Sequence, residues 1–265
     1  MKEFFGFGGG YTREPEGYLS WQHLAFVTSL VLIMVALAVI FGLKNRSKDM
    51  KTKNTALIVA AISIDLVELV KIIAICIRNS NPMAWLYELP LFLCSVQLFT
   101  IPLAAFSKGR VKEAALDFVF IFGLLGALLG TYGAGQNYSC YPVISIDNVS
   151  SGITHCISGF ASLYIVISGL ASMKRKNIHI TFGIIGVTCT LAYVVGALLD
   201  YNYMFLFAGD GTPYDIVYKF VGGSPVLYPI AVIFLFLVYI ALFYWCYYLG
   251  SSKTRRALNS KEARL

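Results

Sequence analysis

Cys94, His155 and His23 are the residues whose chemistry could do covalent work. A cysteine that meets a histidine is a nucleophile–base pair. In an apolar setting the thiol stays inert unless His155, His23 or Lys71 stabilises its thiolate. Around them stand groups that are costly to bury. Asp65, Glu68 and Lys71 fall three residues apart, so one side of a helix carries all three. Glu68 and Lys71 can pair directly, which neutralises the pair without adding much stability. Asp65 is left without an obvious cation. Glu88 and Gln97 flank Cys94 in the stretch Tyr87–Phe106. The plainer reading of each is structural: a packed cysteine, hydrogen-bonding histidines, and an ion pair that locks two helices. The six cysteines are spread singly, with no CxxC and no His/Cys cluster at metal spacing, so neither metal, cofactor nor disulfide framework is expected.

These residues must be positioned by membrane-spanning helices. Of 265 residues, 58% are hydrophobic and 13% are charged, against about 25% charged in soluble domains. Seven apolar runs reach spanning length: 22–43, 54–77, 83–106, 113–134, 151–173, 178–199 and 226–249. They predict an all-α, polytopic bundle forming one transmembrane domain over 1–265. The net charge of +7 does not point to nucleic acid, because the basic residues sit in short loops beside the apolar runs. Loops 44–53, 107–112 and 174–176 and the C-terminal tail hold sixteen of the twenty-one Lys and Arg. The positive-inside rule then predicts the N-terminus outside and the C-terminus cytoplasmic. No basic stretch followed by an apolar one opens the chain, so no cleaved signal peptide is expected. The expected partner is a lipid bilayer, in a multi-pass cell-membrane protein.

That topology sets depths. Lys71 and Glu68 fall in the outer half of the second run, and Glu88 near the outer surface of the third with Cys94 deeper. His23 and His155 lie near the outer starts of the first and fifth runs. His179, at the inner end of the sixth, looks unrelated, and Asp117 reaches the cytoplasmic interface. Pro90 and Pro102 predict a bent third helix facing other protein. Loops 135–150 and 200–225 are long and rich in Tyr, Asn and Gly, and are expected to roof an outer polar cavity. Asn137 and Asn148 fit the glycosylation pattern. No lysine occurs within 226–249, which excludes a rhodopsin-like Schiff base.

Three stretches resemble the YwaF-type family of bacterial integral membrane proteins: SWQHLAF (Ser20–Phe26), ELPLFLCSVQLFTIPLA (Glu88–Ala104), and NYMFL (Asn202–Leu206) with a Ser-Pro before the last run. Phe92 departs from the pattern, standing where that family usually has a histidine, whose role would pass to His155 or His23. The family is similar to the transmembrane protein 164 group. The resemblance implies a helical bundle with a membrane-facing polar site, and cysteine-dependent transfer of fatty acyl chains between phospholipids.

The combined expectation is an acyltransferase acting on membrane phospholipid. Cys94 is the nucleophile, and His155 the base with His23 as second candidate. Asp65, Glu68, Lys71, Glu88, Gln97, Asn202 and Tyr203 hold the polar parts of the substrate. The alternative is a small-molecule transporter or membrane sensor using the same cavity.

Overall fold

The computed structural model describes the backbone of residues 1–262 and the side chains of residues 1–251. The tail residues Lys253, Arg255, Arg256, Lys261 and Arg264, which contribute to the predicted orientation, lie outside the described side chains. Among the described residues every regular element is helical. In chain order these are α1 (Lys2–Phe5), α2 (Trp21–Asn45), α3 (Met50–Arg78), α4 (Gln97–Phe106), α5 (Gly109–Tyr132), α6 (Gly135–Cys140), α7 (Ile146–Ile167), α8 (Ile178–Leu199), α9 (Tyr214–Phe220) and α10 (Leu227–Glu262). Five of them, α2, α5, α7, α8 and α10, are long and apolar enough to cross a membrane. Helix α3 is 29 residues long, but Asp65, Glu68 and Lys71 interrupt its apolar run.

Local chemistry fixes the helix starts. Ser20 accepts the His23 N–H at the head of α2, and Asp49 accepts the Lys51 and Thr52 N–H groups at the head of α3. The Thr52 hydroxyl and N–H hold the Asp49 carboxyl below its usual range. Ser145 caps α7 through the Asn148 N–H. This cap starts α7 at residue 146, five residues before the expected run, so 135–150 is not one long loop. Asn148 is fully buried and donates to the carbonyls of Tyr141 and Pro142, so its glycosylation pattern is not presented to solvent.

The third run departs most from expectation. It is not one bent helix. A 3-10 turn (Ala84–Glu88) is followed by irregular chain, and only ten residues, Gln97–Phe106, are α-helical. Pro90 has no N–H to offer a helical ladder. The Leu91 N–H bonds to the Leu89 carbonyl instead, and the helical pattern resumes only with Val96 N–H donating to Phe92. Pro102, by contrast, is accommodated inside α4.

Helices α5 and α7 pack together at the centre, with α2, α3 and α4 on one side and α8 and α10 on the other. The two sides are built from different residues. The α3/α4/α5/α7 core is small: Ala60, Ala61, Ala104, Ala105, Ala115 and Ala161 let backbones approach closely. The α5/α8/α10 core is aromatic, with Phe118, Phe122, Tyr203, Tyr228, Phe236 and Tyr244. Gly123 shows how close α5 and α7 come, since a Cβ there would run into the Ser158 carbonyl.

Candidate functional site

The polar site begins on α3. Lys71 Nζ lies 2.6 Å from Glu68 Oε1 and 3.0 Å from Glu88 Oε2, so one ammonium holds two carboxylates. The Glu68 contact is the three-residue pair visible in the sequence; the Glu88 contact ties α3 to the 3-10 turn that follows it. Asp65 is exposed, makes no ion pair among the described residues, and stays outside this triad. With Glu68 and Glu88 it lines an open groove of about 850 Å³ between α3 and α4, otherwise walled by apolar side chains such as Leu98, Phe99 and Pro102.

Cys94 sits in the irregular chain just before α4. Among the described residues, the N–H groups of Phe92, Leu93, Cys94 and Ser95 have no backbone acceptor. They are the four orphan donors expected at a helix N-terminus, because Phe92 supplies the first carbonyl of the ladder. The Cys94 Sγ belongs to this unpaired stretch and is 3.9 Å from Ser95 Oγ. Behind it, a Cβ on Gly126 of α5 would touch Cys94 Cβ at 3.7 Å.

His155 comes to the same place from α7. A Cβ on Gly130 would collide with its imidazole, so the ring fits only because residue 130 is glycine. Gly126 and Gly130 are four residues apart and share one face of α5. Cys94 and His155 therefore lie against successive turns of one helix face. Among the described residues neither ring nitrogen of His155 makes a hydrogen bond.

Gln97 is fully buried. Its Oε1 accepts from the Thr100 hydroxyl at 3.0 Å, while its Nε2 has no partner. An unpaired buried amide donor costs on the order of 1–3 kcal/mol.

The remaining candidates are placed elsewhere. His23 is fully buried, and both ring nitrogens are engaged. Its Nδ1 accepts the Leu19 N–H at 3.1 Å, so Nε2 carries the proton and donates to the Thr131 carbonyl at 3.2 Å. Its ring packs on Tyr138 with centroids 3.9 Å apart. Asn202 spends its side chain inside its own loop, donating to the Ala208 carbonyl and Asp210 and accepting the Phe207 N–H. Tyr203 is buried and donates to the Leu86 carbonyl, which pins the 200–213 loop to the 3-10 turn beside Glu88. Phe92 packs against Tyr201, Tyr203 and Phe205, so the departure from the resembled motif serves an aromatic cluster under this loop. Gln136 Nε2 donates to the Asp210 carbonyl at 2.7 Å, joining the 135–150 and 200–225 segments.

Sequence reasoning passed over one cluster. Arg78, at the end of α3, forms a two-pronged pair with Asp147 at 2.6 and 3.0 Å, and also donates to the Tyr11 hydroxyl at 2.9 Å. Tyr11 itself donates to Asp147, and the guanidinium lies over the Tyr11 and Tyr141 rings. The N-terminal segment is thereby fastened across the ends of α3 and α7. The signal was present: Arg78 is an isolated cation on the side poor in Lys and Arg, and Asp147 stands two residues after a capping serine.

A family model described as the TMEM164 family matches residues 18–248. The chain belongs to the TMEM164 family. It is a multi-pass integral membrane protein, as its apolar helices also indicate. The match covers every element from α2 through the membrane-length part of α10, and so the whole Cys94–His155–Lys71 cluster. The YwaF-type likeness has no counterpart among these findings. No curated protein and no solved structure matches the chain.

Proposed function

We propose that this TMEM164-family protein is a cysteine-dependent acyltransferase acting on phospholipid in the cell membrane. The observation that carries the reading is that Cys94, from the chain before α4, and His155, from α7, lie against successive turns of one face of α5, with an imidazole that makes no hydrogen bond among the described residues. In this reading the chain forms a single seven-span domain with its N-terminus outside. The broken third segment then crosses with α3, and the site falls in the outer half. Non-helical backbone at that depth is tolerated where it lines a cavity or is buried in protein.

The reaction has two halves. His155 takes the thiol proton, and the Cys94 sulfur attacks the ester carbonyl carbon of a donor phospholipid. The C–O bond breaks, and the departing lysophospholipid oxygen takes the proton from His155. A hydroxyl of an acceptor lysophospholipid, deprotonated by His155, then attacks the thioester carbonyl. The C–S bond breaks, and Cys94 regains its proton. The unpaired N–H groups at the head of α4 are donors available to the carbonyl oxygen as negative charge develops on it. Lys71, held by Glu68 and Glu88, supplies the positive charge of the polar site. His23, with both nitrogens engaged, acts on packing in this scheme, and Asn202 and Tyr203 hold the covering loop.

The test is intact-protein mass spectrometry after incubation with a defined phospholipid in nanodiscs. An acyl adduct on Cys94 that hydroxylamine removes, absent in Cys94→Ala, is the expected result. A protein that remains unmodified across several phospholipid classes, with Cys94 unreactive to thiol reagents, overturns the proposal.

A further inference from the structure

On the side of the bundle that carries the Lys/Arg-rich loops, α4, α5 and α8 enclose a second pocket of about 330 Å³. Its floor is apolar, formed by Leu103, Val111, Ala114, Ala115, Ile180 and Ile184. Its mouth is cationic. Arg110 Nη2 donates to His179 Nε2 at 2.9 Å, so that nitrogen carries a lone pair and the imidazole has its own N–H at Nδ1. The guanidinium uses one of its five donors in this contact.

Arg110 has no counter-ion among the described residues. The carboxylate one turn along, Glu113, is occupied by Lys174 at 2.5 Å and Lys176 at 3.1 Å. Asp117, deeper on α5, accepts from Asn177, the Lys174 N–H and Tyr244. Lys112 is likewise spent, on Asn54 and the last carbonyls of α4. Arg110 and His179 also stand in the first turns of α5 and α8. Neither helix has a side-chain cap or an acidic residue there. A cation such as Arg110 at a helix N-terminus opposes the helix dipole, so stability of the free bundle does not account for its placement. An anion between the two side chains would.

We infer that this pocket binds an anionic lipid, its phosphate bridging Arg110 and His179 and part of one acyl chain lying on the apolar floor. A free phosphate would use the mouth but leave Leu103 and Val111, both exposed, uncovered. The pocket is separate from Cys94, and the inference does not rest on acyl transfer.

The experiment is native mass spectrometry of the full chain in detergent, titrated with dioleoyl phosphatidylglycerol, dioleoyl phosphatidylcholine or inorganic phosphate. Phosphatidylglycerol is expected to half-saturate at about one-tenth the concentration of phosphatidylcholine, whose choline cation is repelled by Arg110 and offsets about one charge-assisted contact of its phosphate. Arg110→Gln with His179→Ala should remove that preference, and Lys108→Gln, which changes neither bridging side chain, should keep it. Val111→Trp, which fills the slot without changing charge, should also weaken phosphatidylglycerol binding. Circular dichroism verifies that each variant is helical, and Arg110→Lys serves as a milder substitution if Arg110→Gln does not fold. Equal binding of the two lipids overturns the inference. So does an equal loss in Lys108→Gln, which would mean diffuse surface charge, or unchanged lipid binding in Val111→Trp. Occupancy by inorganic phosphate that phosphatidylglycerol does not displace overturns the lipid assignment.

Discussion

The Arg78–Asp147–Tyr11 clamp and the Cys94–His155–Gln97 cluster are both polar assemblies on the same end of the bundle, and they are built on opposite terms. In the clamp, charge meets charge in a two-pronged pair, a tyrosine bonds both partners, and two rings cover the cation. Each of its three side chains has a charged or hydrogen-bonded partner. In the cluster, the imidazole has no partner, the Gln97 amide lacks an acceptor, and four backbone N–H groups point to no backbone acceptor among the described residues. Buried polar groups are normally satisfied, because leaving them bare is costly. A saturated assembly is what folding stability selects. An unsaturated one persists only when the surrounding packing holds it, and its spare donors are free for a ligand or a reacting atom.

Substitutions can break or sharpen that contrast. The largest expected effect is Cys94→Ala, which should lower acyl transfer at least about 10⁴-fold, as removal of a nucleophile does, with little change in thermal unfolding. If its unfolding temperature instead falls as far as that of a clamp variant, the two regions are alike and the cluster is structural. Next is Asp147→Ala, which leaves Arg78 without a carboxylate. A loss of about 3–5 kcal/mol in unfolding free energy is expected, measured by denaturation in detergent, with activity at permissive temperature retained. His155→Ala should reduce transfer by about 10²-fold or more while leaving stability within about 1 kcal/mol, since the side chain makes no hydrogen bond whose loss would count. Gln97→Leu should be neutral or stabilising by about 1 kcal/mol, because it removes an unsatisfied donor; a marked destabilisation would show that the amide is satisfied in the folded protein.

The smallest effect concerns the N-terminal segment that the clamp fastens. Glu3 accepts from the Arg13 N–H and from the hydroxyl and N–H of Thr12, which hold its carboxyl below the usual range. A carboxyl lowered on folding stabilises above its unfolded value, and that contribution is lost as pH falls through the lowered one. Hydrogen exchange at the Thr12 and Arg13 amides should therefore be slow at neutral pH and become faster, relative to reference amides, below about pH 4. Exchange with no such change would detach Glu3 from the docking of this segment.

Much of the cluster is legible in the order of residues. Comparable depth in the outer half for Glu68, Lys71, Glu88, Cys94 and His155 is an expectation from counting residues along alternating apolar runs, with Glu88 nearer the surface and Cys94 deeper, and the pairing of Glu68 with Lys71 follows from helical periodicity. Contacts between helices cannot be counted this way. Which histidine reaches the face of α5 that Cys94 lies against depends on rotation about the helix axis, and that is set by side chains on the opposing helix. Gly130 admits the His155 ring, whereas Thr131 and Leu19 capture His23 on the neighbouring face. Asn202 and Tyr203 are polar and on the expected loop, yet their hydrogen bonds are spent on the chain itself. His179, unremarkable by its position along the chain, meets Arg110 from a run two spans away.

What the sequence determined alone was the solvent. An apolar composition with few charges, cut into spanning lengths by basic loops, commits the chain to helices in a bilayer, because backbone groups in lipid must be satisfied within the segment. Pro90 likewise announced an interruption, though not that the helix would restart only at Gln97. The tertiary structure alone decided which polar groups would be used up and which left bare. That choice rests on a few ångströms of approach between helices, as at Gly130, where the absence of a side chain on α5 makes room for the His155 ring of α7, and no single segment contains that information.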